Sequence, residues 1–304
     1  LTVCTFPSTV PTEMTITASR LRNSTKPAHT WLAWLGLMPF FIFGLAFEFL
    51  PILTTVRSSF TNEGRFTLEF YRQAMEPLFL RSFVTTFKIS TATAFLGVIF
   101  GTLVAYAIIT IRNKFLQNAL TALSDVTTNF GGAPLAFAFI VILGSTGIIT
   151  MLLKEIGIQL YPHFRIYSAS GLTIAYLYFQ LPLMILLIIP SLHGLKREWH
   201  EAALNLGAST FQYWIRVALP ILFPSLLSGF LLLFANSFGA YATAWTLTGS
   251  DVDLITIRIA ALIRGEVQLA PELADALSII SLLIMIACVI GYTWLSNRAR
   301  RATR

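Results

Sequence analysis

Six stretches of about 20 mostly apolar residues constrain this chain more than any other feature, because a helix needs about that length to cross a bilayer. They run from about Trp31 to Val56, Phe83 to Ile111, Pro134 to Leu153, Ser168 or Ser170 to Leu192, Ile221 to Thr246 and Leu273 to Leu295. Backbone polar groups in lipid must be satisfied within the segment, so open runs of this kind are read as helices. The expected fold class is therefore all-α, a polytopic membrane protein with six transmembrane helices. Composition agrees: 56% of the 304 residues are hydrophobic and 12% are charged, about half the roughly 25% charged share of a soluble domain. The net charge of +7 then points to basic residues retained in cytoplasmic loops beside anionic lipid headgroups, and not to a nucleic-acid partner.

Around these spans the chain divides into a flexible cytoplasmic tail at 1–27, a membrane domain at 28–297 and a basic cytoplasmic tail at 298–304. Lys and Arg bias sets the orientation. The short loop Arg112-Asn113-Lys114 and the terminal arginines Arg298, Arg300, Arg301 and Arg304 put both termini in the cytoplasm. With six spans, the segment His193 to Pro220 then falls in the cytoplasm too. Cys4 and Cys288 lie far apart in different surroundings, so no disulfide framework is expected.

Within the second span, Gly97 and Gly101 form a GxxxG pair continued by Ala105, a small-residue stripe against which another helix can pack closely. The third span is interrupted. Phe115 to Ser124 reads as an interfacial or partly buried helix, and Asp125 to Gly132 is polar and glycine-rich. A break at membrane depth is tolerated only where it is packed in protein or lines a cavity. Polar side chains at that depth are candidate functional groups because burial is costly. Glu48 and Lys88 fit snorkelling near an interface. Asp125, Asn129, Gln180, Asn236, Ser237 and Tyr241 are the candidate pathway-lining residues, the alternative being hydrogen bonds between helices.

The long water-compatible segment is Glu198 to Pro220. Lys196 to Leu206 has helical composition, Gly207 suits the left-handed residue after a helix, Ser209 can cap a second short helix, and Pro220 suits the first turn of the fifth span. Leu204, Leu206, Phe211, Tyr213 and Trp214 are too apolar for a freely solvated loop. They suit either a docking surface or an amphipathic helix lying on the membrane with Trp199, Tyr213 and Trp214 as anchors. No phosphate-binding loop, paired metal-ligand spacing or catalytic carboxylate pair occurs; catalytic and metal-binding residues are expected to be absent.

The same segment carries Glu201-Ala202-Ala203, then Gly207, then Val217-Ala218-Leu219-Pro220. It resembles the EAA loop, E-A-A-x3-G-x9-I-x-L-P, of ABC importer permeases, with Val217 in the isoleucine slot. The resemblance implies the type I ABC importer permease fold, a non-catalytic transport subunit, and residues 196–220 as the loop that couples to an ATPase. Glu201, Ala202, Ala203, Gly207, Leu219 and Pro220 stand in the motif positions. It further implies these partners in a bacterial inner membrane: a second permease chain (similar or identical), two copies of a cytoplasmic ATP-binding subunit and an extracytoplasmic solute-binding protein. ATP and Mg would be bound by the partner, with no cofactor in this chain. The run Ile255 to Ala276 resembles the spermidine/putrescine-type branch, although the fifth span has no acid near Asn236. A secondary transporter would instead show inverted repeats with paired broken helices, and a non-transporting scaffold would have no need of a docking loop.

Overall fold

A computed structural model describes residues 30–62, 64–266 and 269–302, with side chains from Leu37 to Asn297 and Arg298 within those limits. The tail expected at 1–27, with Cys4, lies outside the described residues. The chain divides into two compact units, one ending at Leu53 and one starting at Thr54. In the first, α1 (Thr30–Gly44) passes into a π-helical turn at Leu45–Phe49 and then α2 (Leu50–Ser59). Phe40, Phe41, Phe43, Phe47 and Phe49 are all exposed, which suits lipid and not water.

The second unit holds the end of α2, a two-residue hairpin of β1 (Thr61–Asn62) and β2 (Arg65–Phe66), and the short α3 (Glu69–Ala74). The bundle proper follows. It comprises α4 (Pro77–Thr110), α5 (Lys114–Thr128), α6 (Gly132–Leu143), α7 (Ile148–Glu155) and α8 (Ala169–His193). Then come α9 (Arg197–Asn205), α10 (Thr210–Tyr213), a second π-helical turn at Trp214–Ala218 and α11 (Leu219–Phe238). The chain continues through α12 (Ala242–Thr248), α13 (Ile255–Arg264) and α14 (Pro271–Ala302). Among the described residues six stretches are long and apolar enough to cross a membrane: Leu37–Ser59, Pro77–Thr110, Gly132–Glu155, Ala169–His193, Thr210–Phe238 and Pro271–Arg298.

The core is a junction of α4, α8, α11 and α14, built on Met184, Ile188, Leu233 and Leu277. Close approach at the glycine stripe makes it possible. A Cβ on Gly97 would lie 2.7 Å from Leu233 Cδ2, and one on Gly101 would lie 2.6 Å from Met184 Cβ and 3.2 Å from the Leu181 carbonyl oxygen. Ala105 is fully buried on the same stripe. From the opposite side Gly229 takes Met184, whose Sδ would be 2.7 Å from an added Cβ. The unbranched Met184 thus fills a slot bounded by two glycines, a role its flexible thioether suits.

Three expectations are corrected. The fifth span does not run unbroken to Thr246: it stops at Phe238 and resumes as α12. Pro220 does not open that helix, because helical backbone is continuous from Thr210. The π turn explains how. Proline has no N–H, and its ring crowds the carbonyl four residues back; widening the preceding turn, so that Leu219 N–H reaches Trp214 O, relieves that crowding. The same device precedes Pro51, where Leu50 N–H reaches Leu45 O. Third, the segment expected as an interfacial or partly buried helix is α5, packed along α8, and it runs on to Thr128, so the break begins at Asn129 and not at Asp125. Its N-cap Asn113 accepts from the N–H groups of Phe115 and Leu116. The basic segment from Arg298 continues α14 as far as Ala302. Glu48 and Lys88 are both exposed.

Candidate functional site

Two places in the second unit could serve transport: the α9–α10 loop and a cleft between broken helices. The loop is rigid by local chemistry. Helix α9 ends in a Schellman motif: Ala208 N–H donates to Ala203 O, and Gly207 N–H donates to Leu204 O. Gly207 is left-handed, with φ +78°. Ser209 and Gln212 then form a reciprocal capping box, Ser209 N–H donating to Gln212 Oε1 at 2.8 Å and Gln212 N–H to Ser209 Oγ at 3.3 Å.

Side chains sort into two sets. Ala203, Tyr213 and Ala218 are buried, with Leu195, Trp199, Ala208, Trp214 and Val217 packed against them. His200 meets the edge of Tyr213 at 4.8 Å, and Trp214 meets Tyr106 of α4 at 4.9 Å. The aromatics that could anchor an interfacial helix are therefore turned inward, forming a small core that fixes the loop to the bundle. Outward stand Leu204, Leu206 and Phe211, the last two 88% and 72% exposed. Of the motif residues, Glu201, Ala202, Gly207, Leu219 and Pro220 are exposed and Ala203 is buried. Glu201 accepts a charge-assisted hydrogen bond from Arg197 one turn back at 2.8 Å, a contact that contributes little where both groups are solvated.

The cleft lies where two helices stop near the midpoint of their neighbours. Between α5 and α6 the chain unwinds through Asn129 to Gly131, and between α11 and α12 it unwinds through Gly239 to Tyr241. The breaks are fastened to one another and to α8. Thr243 Oγ1 accepts from Gly132 N–H at 2.9 Å and faces its carbonyl at 3.3 Å, and Tyr176 Oη donates to Ala240 O at 2.6 Å. Gly132, at φ +72°, takes a conformation that costs a side-chain-bearing residue about 1–2 kcal/mol. Thr243 is 3% exposed, so Thr243→Val is expected to leave the Gly132 N–H unpaired and to lower stability by about 1–3 kcal/mol. Thermal unfolding in detergent would measure it, and an unchanged midpoint would show that the pin carries no weight.

Thr128, Asn129, Gly131, Gly132, Phe179, Asn236, Tyr241 and Thr243 contribute to a cleft of about 610 Å³, and its described wall contains no Asp, Glu, Lys or Arg. Asn129 and Asn236 are exposed within it. Towards the loop end a second groove of about 690 Å³ continues between α5 and α8, past Asp125, Thr121, Asn118, Lys114 and His193. Sequence reasoning missed Lys114, Asn118 and Thr121; with Asp125 they recur at the three- and four-residue spacing of one helix face.

Thus Asn129, Asn236 and Tyr241 come together in the cleft, and Asp125 lies in the adjoining groove. Gln180 and Ser237 lie elsewhere, in clasps between helices. Gln180 is fully buried, its Nε2 donating to Leu233 O at 2.9 Å, and Ser237 shares a 2.9 Å hydrogen bond with Thr93. Beside the cleft, the rings of Tyr241 and Trp245 stack with centroids 6.3 Å apart. The Arg264 guanidinium sits 5.7 Å and 5.2 Å from their centroids, contacts worth about 0.5–1 kcal/mol each when solvated.

A family model described as the binding-protein-dependent transport system inner membrane component matches residues 97–301. The chain belongs to this family. It is a permease subunit of an ABC importer, a transport component without catalytic activity of its own. Relatives of this permease include a probable sulfate transport system permease protein of Prototheca wickerhamii, 28% identical over 222 residues, which are 72% of this chain and 82% of that protein. They also include the spermidine/putrescine transport system permease protein PotB of Haemophilus influenzae, 28% identical over 218 residues, 69% of this chain and 75% of that one. The polyamine branch is therefore not singled out. Among solved structures, a bacterial alginate ABC importer superposes with a TM-score of 0.62 at 17% identity, covering 90% of this chain and 96% of that one. The MetNI methionine transporter does so at 0.51 and 15%, covering 75% and 97%. The permease thus has the type I importer fold. Its two helix breaks, joined through Gly132 and Thr243, occur in an ABC importer permease.

Proposed function

We propose that this permease carries a small oxyanion, sulfate being the first candidate, through the cleft and the groove below it. The observation that carries this reading is the absence of charge from the described wall of the cleft, where Asn129 and Asn236 are exposed. A polycation moving there would lose hydration without a carboxylate to offset the loss. An oxyanion can accept from amide side chains such as those of Asn129 and Asn236. The sulfate permease relative supports the same choice. A polyamine is the second reading, favoured by PotB and by Asp125 in the lower groove.

Both termini and the α9–α10 loop face the bacterial cytoplasm in this proposal. The loop, presenting Leu206 and Phe211, seats in a groove of an ATP-binding subunit, and two such subunits bind ATP and Mg on behalf of the assembly. A second permease chain closes the open side of the cleft, and an extracytoplasmic binding protein delivers solute. The bundle sits in the inner membrane with lipid around it. The test is uptake into proteoliposomes holding the permease with its co-expressed partner subunits. ATP-dependent accumulation of labelled sulfate, without accumulation of labelled spermidine, is expected. Spermidine uptake without sulfate uptake overturns the oxyanion reading, and uptake of either driven by an ion gradient alone overturns the ATP-coupled one.

A further inference from the structure

We propose that Arg264 is a specificity-determining residue, a fixed cation held at the edge of the cleft that admits anions and turns cations away. The inference rests on reading the cleft as the solute path. It begins with local structure. Helix α13 ends at Arg264 because Gly265 follows in the left-handed conformation, φ +69°. Arg264 thus belongs to the last turn of α13, where the unpaired carbonyls favour a cation. Its side chain reaches back onto α12 and covers Tyr241 and Trp245, one helical turn apart. Stacking on two rings takes much of the freedom from a side chain that is otherwise long and mobile. Tyr241 is itself part of the cleft wall, so the guanidinium rests against a residue of a cavity whose described lining has no charge to compete with it.

Among the described residues, the acids on the segments around Arg264 include Asp251, Asp253 and Glu266. Glu266 is its ion-pair partner among the described residues, at 3.4 Å, and both side chains are more than a third exposed; a contact that long and that wet leaves most of the positive field in place. Arg258 and Asp253, on the same helix and the segment before it, are committed to one another at 2.8 Å, and Asp253 also accepts from Ser82. Asp125 faces the groove on the other side of the break and is the group that would produce the opposite preference if it governed the cleft.

Charged thiol reagents read this directly in the membrane-embedded full chain. With Cys4 and Cys288 changed to serine and Asn236→Cys placed in the cleft, the 2-sulfonatoethyl methanethiosulfonate anion is expected to react faster than the trimethylammonioethyl cation. Relative to a freely solvated thiol, the ratio should be raised on the order of 10-fold, as expected for a cleft focusing one sign of charge. Arg264→Gln should return it to the solvated value and Arg264→Lys should retain most of it. Trp245→Ala, which keeps the charge but frees the side chain, should give an intermediate ratio. A ratio unchanged by Arg264→Gln, or one altered by Asp125→Asn instead, overturns the role of Arg264 while leaving the cleft as the path. Failure of both reagents to modify the cysteine overturns the path itself, and this proposal with it.

Discussion

Gly101→Val is expected to stop the permease from accumulating as a folded, monodisperse protein. The first added carbon alone would sit 2.6 Å from Met184 Cβ and 3.2 Å from the Leu181 carbonyl. The second contact involves backbone, so no change of rotamer can relieve it. Overpacking costs about 1–3 kcal/mol and occasionally more, and here it falls on the junction of α4 and α8, where Met184 and Ile188 are fully buried. Moving α4 outward would relieve the clash only by pulling it away from Gln180 and Leu233, which meet Gly97 one turn along. Size-exclusion profiles and thermal midpoints in detergent test this. Gly131→Ala is the matched control, since its backbone is extended and a Cβ there meets nothing within 4 Å. A Gly101→Val protein as stable as the control would show that the α4–α8 contact is looser than its geometry.

The paired substitution Leu206→Asp with Phe211→Asp is expected to abolish ATP-driven transport while leaving the chain folded. Both side chains are mostly exposed, one on each side of the Gly207 turn, and neither belongs to the loop's own core. Their removal should therefore cost the isolated chain little. Burying a Leu or Phe side chain at an interface contributes about 1.5–3 kcal/mol, so losing two should weaken ATPase binding by about 10²-fold or more at 1.4 kcal/mol per decade. Co-purification of the ATPase measures it, with the thermal midpoint of the permease alone as the folding control. Wild-type transport by the double variant would remove the loop from the coupling route. Tyr213→Ala should behave differently, loosening the loop itself, because Tyr213 is at the centre of its small core.

Hydropathy averaged over 20 residues made the six spans legible, since that signal depends little on what each residue touches. The loop was legible for a different reason: Gly207 and Ser209 act on backbone groups within a few residues of themselves, so sequence spacing carries the whole motif. The break at Gly239 to Tyr241 was hidden. No proline or polar run marks it, and the side chain that satisfies its unwound backbone, Tyr176 on the Ala240 carbonyl, is 64 residues away in sequence. Gln180 and Ser237 show the converse. A polar side chain at mid-helix looks the same in sequence whether it faces a path or a neighbouring helix, and only the positions of Leu233 and Thr93 decide it. On α5 the polar spacing was present, but the face it defines borders a groove shared with α8, which a single helix cannot reveal.

The widened turn at Trp214–Ala218 sets an angular phase. A turn closed five residues back holds one residue more than an α-turn, and at 3.6 residues per turn that residue is worth about 100° of azimuth. Tyr213 and Trp214 face the loop's core on one side of this joint, and Asn236 faces the cleft on the other. The two ends of one continuous helical run are therefore indexed to one another by a single residue. The joint is a vernier between the surface proposed to receive force and the surface proposed to meet solute, and Pro220, which lacks an N–H, disfavours its closing back to the ordinary pitch.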